Sequence, residues 1–272
     1  MKGPKILLEK ENNWDTKMGL SFPGERVVYR GKDLLCGLRD LNWMGLLLYG
    51  ITGRLFNDKQ IRLFEGLWVL STSYPDPRLW NNRVASLAGT ARSTQTLGIS
   101  AALAVSEATI YGHRANVGAI DFFIRTKKAM DSGVELSKVI KNELKENRVI
   151  YGFGRPVVRN DERITPVIQF AKELGFGNGP YVKLAFEIEE FLLSGRWRMQ
   201  MNITGLAAAL SADQGLSQTE YHSLASPCFL AGIIPCLIDS MSQPEGSFLP
   251  IRCARIKYGG KSPRQWKYKN NQ

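Results

Sequence analysis

The sequence predicts a mainly α fold with a short β-hairpin near its N-terminal end. From residue 57 onward, apolar side chains recur at helical spacing in segment after segment, whereas alternating apolar and polar residues are confined to the first forty. Prolines and glycines fall between the periodic segments, where they stop helices. With 272 residues, 44% of them hydrophobic, the chain can bury a sizeable core as one large domain or two modest ones.

The segment ERVVYRGKDLLCGL places alternating apolar residues around Arg30-Gly31-Lys32, the pattern of a hairpin. Asn57 or Asp58 caps a helix with Ile61, Phe64 and Trp68 on one face, ending before Tyr74-Pro75-Asp76-Pro77. Helices are then expected over Trp80–Ala91 and Ser93–Ile110, the second so rich in alanine that it reads as buried. Ala115–Met130 continues helically, and Val134–Asn147 sets Leu136, Val139, Ile140 and Leu144 against a lysine face.

Thr165-Pro166 starts another helix, stopped by Gly175. Val182–Leu193 follows, its Glu187, Glu189 and Glu190 forming a solvated face. A small-residue helix begins near Gly205 with Thr204 as its cap, Tyr221 and His222 fall in a loop, and an apolar stretch, CFLAGIIPCLID, precedes a basic tail.

Composition narrows the function classes. The apolar runs Trp43–Leu48 and Phe229–Ile238 are shorter than the ~20 residues of a membrane span, so none is expected. The start, MKGPKILLEKENNWD, lacks a secretory apolar core, which favours the cytoplasm. Cys36, Cys228, Cys236 and Cys253 are scattered and read as buried free thiols, and with only His113 and His222 in the chain no metal centre is expected. The net charge of +11 invites a nucleic-acid reading, but it is spread along the chain apart from the tail Lys257–Lys269. Nucleic acid is therefore the weaker partner class.

Chemistry concentrates in YGFGRPVVRNDER, residues 151–163. Gly152-Phe153-Gly154 brings backbone amides close to a ligand, and Arg155, Arg159 and Arg163 follow at spacings of four. Guanidinium groups match phosphate and carboxylate oxygens bidentately. The residues alone allow a second reading, a surface loop whose arginines pair with Asp161 and Glu162.

This segment resembles the glycine-phenylalanine-glycine-histidine-arginine-valine loop of the citrate synthase superfamily, in particular its short members of the citryl-CoA lyase type. LLLYGITGRLFNDKQIRLFEGLWVL is similar to the family's entry helices, and WNNRVASLAGTARST and YGHRANVGAI to the two that bracket its active site. YVKLAFEIEEFLLS, MNITGLAAAL and RCARIKYGG resemble the family's remaining motifs in the same order. The resemblance implies a two-domain helical homodimer: residues 1–118 and 203–272 would form the large domain, and 119–202 a small domain closing over coenzyme A. It also implies chemistry on an acyl thioester, in which an aspartate deprotonates the methyl group and histidines stabilise the enolate.

The catalytic residue types differ at the matching positions. The loop histidine aligns with Arg155, the aspartate with Thr204, the keto-acid histidine with Trp80, and another histidine with Gly112, one place before His113. Threonine is no carboxylate base and arginine does not shuttle protons at neutral pH. By the resemblance, Gly152, Phe153, Gly154 and Arg159 bind coenzyme A. Arg163, one residue short of the carboxylate-binding arginine, and Arg252 and Arg255, which flank its C-terminal counterpart, bind substrate. His113 is either a replacement base, by a one-residue shift, or a surface histidine at a helix start. The expectation is a protein that binds an acyl-CoA or acyl thioester and performs non-standard carbon–carbon bond chemistry or acyl transfer. The alternative is an inactive module that binds coenzyme A or a protein partner.

Overall fold

The computed structural model describes residues 4–264 except Ser73, Tyr111, Pro156, Val157, Arg159, Leu249 and Pro263. A short helix, α1 (Lys5–Lys10), precedes an antiparallel three-stranded sheet of β1 (Gly19–Phe22), β2 (Arg26–Tyr29) and β3 (Lys32–Asp33) in sequential order. The expected hairpin turn at Arg30-Gly31 joins β2 to β3, with Tyr29 opposite Lys32. Strand β1 was not foreseen; it pairs Gly19 with Tyr29 across the turn at Gly24.

Helices account for most of the rest: α2 (Trp43–Thr52), α3 (Asp58–Ser71), α4 (Trp80–Thr90), α5 (Gln95–Ser106), α6 (His113–Asp131), α7 (Leu136–Asn147), α8 (Ile164–Glu173), α9 (Pro180–Ser194), α10 (Ile203–Asp213), α11 (Gln218–Ala225) and α12 (Leu230–Ser242). Their starts follow side-chain chemistry. Asn57 and Gln60 form a reciprocal capping box on α3, as do Ser217 and Glu220 on α11. That second box explains why Tyr221 and His222 are helical and not in a loop. At α9, Pro180 occupies the first turn, and the Asp213 carboxylate accepts the N–H groups of Tyr181 at 2.8 Å and Val182 at 3.1 Å.

Helix α10 is the axis of the main core. Leu206, Ala208, Ala209 and Leu210 are fully buried, and α10 packs against α3, α6, α8 and α9. Its small residues let several helices approach one axis at once. A second, smaller core joins Ala85 of α4, Ala102 of α5, and Ile233, Cys236 and Leu237 of α12. Gly89 makes that crossing close, since a Cβ there would lie 2.6 Å from the Leu237 carbonyl oxygen.

Three further expectations change. Helix α5 buries Gly98, Ala102 and Ser106, but Leu97 is 64% exposed, so the helix has an open apolar face. Alanine-rich composition fixes how closely a helix can pack, not how many sides are covered. Cys36 and Cys253 are exposed and only Cys236 is buried outright. The apolar run Phe229–Ile238 belongs to a longer element, because α11, a 3-10 turn at Ser226–Phe229 and α12 form a continuous 25-residue helical stretch, Gln218–Ser242. By length and composition it could cross a membrane. In the fold it packs against α4, α5 and α6.

Candidate functional site

A cavity of about 510 Å3 opens between α3, α4, α6, α10 and α11, within the usual range for small-molecule sites. Its apolar wall includes Met44, Phe64, Leu67, Trp68, Val149, Ile150, Leu224 and Phe229. The segment Gly152–Gly154 and the start of α10 form the floor. These two pieces are laced together antiparallel: Gly154 N–H donates to Gln200 O at 2.7 Å, and Asn202 N–H to Gly152 O at 2.9 Å. Asn202 also caps α10, accepting from the N–H groups of Thr204 and Gly205, while its amide nitrogen donates to Gly154 O at 2.9 Å. The cap is therefore Asn202 and not Thr204.

Glycine is required on both sides of this seam. Gly152 has φ +93°, and a Cβ there would lie 2.7 Å from the Gly205 Cα. The glycines thus bring the loop against α10 as well as presenting its backbone to the cavity. The Phe153 ring turns inward onto Phe123, with centroids 6.2 Å apart.

Above the floor stands a charged cluster. The Asp161 carboxylate accepts from Nε and Nη2 of Arg163, both at 2.8 Å, and from the N–H of Ile203 at 2.9 Å. Burial raises its pKa, but these partners outweigh burial and hold it below the ordinary carboxylate value. Arg155 uses one amino group for its bonds to the described residues: Nη1 donates to Asn160 O at 2.9 Å and to Glu162 at 2.6 Å, and lies 3.8 Å from Asp161. Its Nε and Nη2 make no hydrogen bond to the described residues. The loop therefore combines the two sequence readings, since Arg155 and Arg163 pair with Asp161 and Glu162 and line the cavity as well.

The described lining contains no histidine, and Asp161 is its one carboxylate. Burial pushes the Cys228 thiol up to about 12 and the Tyr221 phenol above its ordinary value. Three buried polar atoms in lining residues, Trp68 Nε1, Asn81 Nδ2 and Ser211 Oγ, have no hydrogen-bond partner among the described residues.

Of the residues singled out by sequence, the cavity brings together Gly152, Phe153, Gly154, Arg155, Arg163 and Thr204. Arg159 lies outside the described residues. Trp80 stands beside the cavity without lining it; its Nε1 donates to the carbonyl of Ile110, a wall residue, at 3.0 Å. Arg252 and Arg255 are exposed near a 3-10 turn at Cys253–Arg255 and do not line it. His113 is 2% exposed and packs behind the wall on Phe229, so it is no surface histidine.

The family profile described as "Citrate synthase, C-terminal domain" matches residues 26–226. The chain belongs to the citrate synthase family. The fold agrees with solved structures of that family. A citryl-CoA lyase from Hydrogenobacter thermophilus aligns with TM-score 0.81 at 18% identity, covering 93% of this chain and 97% of that one. An ATP citrate lyase from Methanosaeta concilii, in complex with (3S)-citryl-CoA, aligns with TM-score 0.72 at 18% identity; this chain spans 96% of itself but only 45% of that longer protein. A citrate synthase from Thermotoga maritima gives 0.64 at 18%, covering 86% and 62% of the two chains. No curated protein matches.

Within this citrate synthase family member, sequence reasoning treated Asp161 only as a pairing partner and did not single out Asn202. The local signal for Asn202 was present, an asparagine immediately before a helical run. Asp161 becomes central through its bond to Ile203, 42 residues away, which no local pattern announces.

Proposed function

We propose that this citrate synthase family protein binds an acyl-CoA or related acyl thioester with its acyl end in the cavity, and carries out non-standard carbon–carbon bond formation or cleavage, or acyl transfer, on it. The observation that carries the reading is Arg155: a cation fixed by Glu162 and Asn160 through one amino group, in a side chain that lines the cavity and whose Nη2 and Nε make no hydrogen bond to the described residues. In the cleavage direction the electron pair of the breaking carbon–carbon bond passes into the thioester carbonyl, and the hydroxyl proton of the departing fragment goes to water. A guanidinium stabilises the resulting oxyanion without taking up a proton.

The apolar wall favours an apolar acyl group over a small dicarboxylate, because the Arg163 fork is already occupied by Asp161. Gly152–Gly154 would support the coenzyme, with Arg159 contributing to its phosphates. The Trp68, Asn81 and Ser211 atoms that lack a partner among the described residues are groups a ligand or ordered water would satisfy. We further propose that residues 119–202 move as a closing unit and that two copies pair. Leu97 on α5 and Ile234 and Ile238 on α12 give that pairing an exposed apolar surface.

A second reading, thioester binding without turnover, is favoured by one observation: no histidine lines the described cavity, and the Cys228 thiol in it is pushed up to about 12. A panel of acyl thioesters assayed for bond formation, cleavage and acyl transfer separates the two. Turnover that falls in Arg155→Ala supports the first. Binding without turnover supports the second, and equal rates in the two proteins remove Arg155 from the chemistry.

A further inference from the structure

The two histidines of the chain, 109 positions apart, meet behind the cavity wall. His113 opens α6 and His222 lies on α11; their rings stand edge to face with centroids 4.5 Å apart. His222 Nε2 is 3.0 Å from Oε1 of Glu107, the residue that ends α5. One ligand atom from each of the three residues lies within 4.8 Å of the other two.

His113 is the anomaly in this group. It is 2% exposed, yet neither ring nitrogen has a hydrogen-bond partner among the described residues. Buried polar groups are seldom left unsatisfied, and an orphaned one costs about 1–3 kcal/mol. Burial, with His222 beside it, lowers the His113 pKa to about 4, so the imidazole is neutral and keeps a lone pair. Its ring is steeply inclined to both His222, at 63°, and Phe229, at 68°, a geometry that offers a ring nitrogen at most a weak N–H···π contact.

We propose that Glu107, His113 and His222 form a site for a divalent transition-metal ion, zinc by preference, that ties the end of α5 to α6 and α11. Two imidazoles and a carboxylate are a zinc donor set, with a fourth position left to water. Donors at about 2.0–2.2 Å around a tetrahedral ion lie about 3.4 Å from one another. The widest separation must therefore close by about 1.4 Å, and the exposed Glu107 side chain at a helix end has freedom to move. None of the three lines the cavity, but Gly112 and Phe229, next to His113, do. The ion would thus brace one wall of the acyl site and take no part in the chemistry there.

The test uses the full chain, stripped with a chelator and titrated with Zn2+ by calorimetry and with Co2+ followed by absorbance. The expected result is one ion per chain, a tetrahedral Co2+ spectrum without thiolate charge-transfer bands, and a rise in Tm on adding Zn2+. His222→Ala and Glu107→Gln change partly exposed side chains and should fold. Each is expected to weaken binding at least about tenfold, the loss that follows even from removing an outer partner of a metal ligand. No binding by the wild type, unchanged affinity in both variants, or thiolate bands that vanish in Cys36→Ser or Cys253→Ser would each overturn the site.

Discussion

Asp161 and Arg163 are joined by two parallel hydrogen bonds of 2.8 Å, and the same carboxylate takes the first N–H of α10 from Ile203 at 2.9 Å. One side chain thereby fixes both the arginine loop and the helix that floors the cavity. Asp161→Asn leaves Arg163, about a quarter exposed, without its counter-charge. Breaking a fully buried pair costs about 3–5 kcal/mol, and partial exposure of the arginine brings the expected loss to about 2–3 kcal/mol. Urea denaturation checks this. Glu162→Gln, with a side chain 68% exposed, should leave the urea midpoint close to that of wild type.

The same group sets an acid limb. The Asp161 pKa is lowered in the folded chain, so its stabilisation is complete above the ordinary carboxylate value and is lost as pH falls through the folded value. Tm measured from pH 7 down to pH 3 should decline below about pH 4, and the decline should be shallower in Asp161→Asn. Parallel curves for the two proteins would show that other carboxylates carry the acid limb.

Gly152→Ala should be costly for two independent reasons, its φ of +93° and the approach to Gly205. Such strain is worth about 1–3 kcal/mol before the clash with the Gly205 Cα at 2.7 Å is added. Gly133→Ala has positive φ but open space around it, so it should pay the backbone term alone. Thermal unfolding of the two variants separates packing from conformation.

The thiols should differ sharply in reactivity. Cys228 has its pKa raised to about 12 by burial, whereas Cys36 and Cys253 are exposed. Only the thiolate reacts, so iodoacetamide at pH 8 should modify Cys36 and Cys253 first, with Cys228 and the buried Cys236 well behind them. Peptide mass spectrometry reads the order directly.

Much of the fold was legible because helix ends are written locally. The Asn57 cap and the early Pro166 placed the starts of α3 and α8 within two residues or so, whereas Pro180, which opens α9, was read as part of the preceding loop. The start of α11 was equally local, in Ser217 and Glu220, and was passed over because no strong apolar period follows it. The site was legible only where it is local. Arg155 and Arg163 reach the cavity together because one short loop carries both. The Asp161–Ile203 bond and the meeting of His113 with His222 depend on how helices pack, and nothing within ten residues of either foretells them. The open face of α5 was illegible for another reason, since small apolar residues suit a buried helix and a subunit contact equally.

The most direct test of the account is calorimetric titration of wild type and Arg155→Ala with an apolar acyl-CoA, using benzoyl-CoA as the probe and free coenzyme A as reference. A hydrogen bond from a charged donor is worth about 1.5–3 kcal/mol, so the variant should bind benzoyl-CoA at least about tenfold more weakly, while its affinity for free coenzyme A changes little. No association of the wild type with benzoyl-CoA, or equal affinity in the two proteins, would contradict the claim that Arg155 receives an acyl thioester in this cavity.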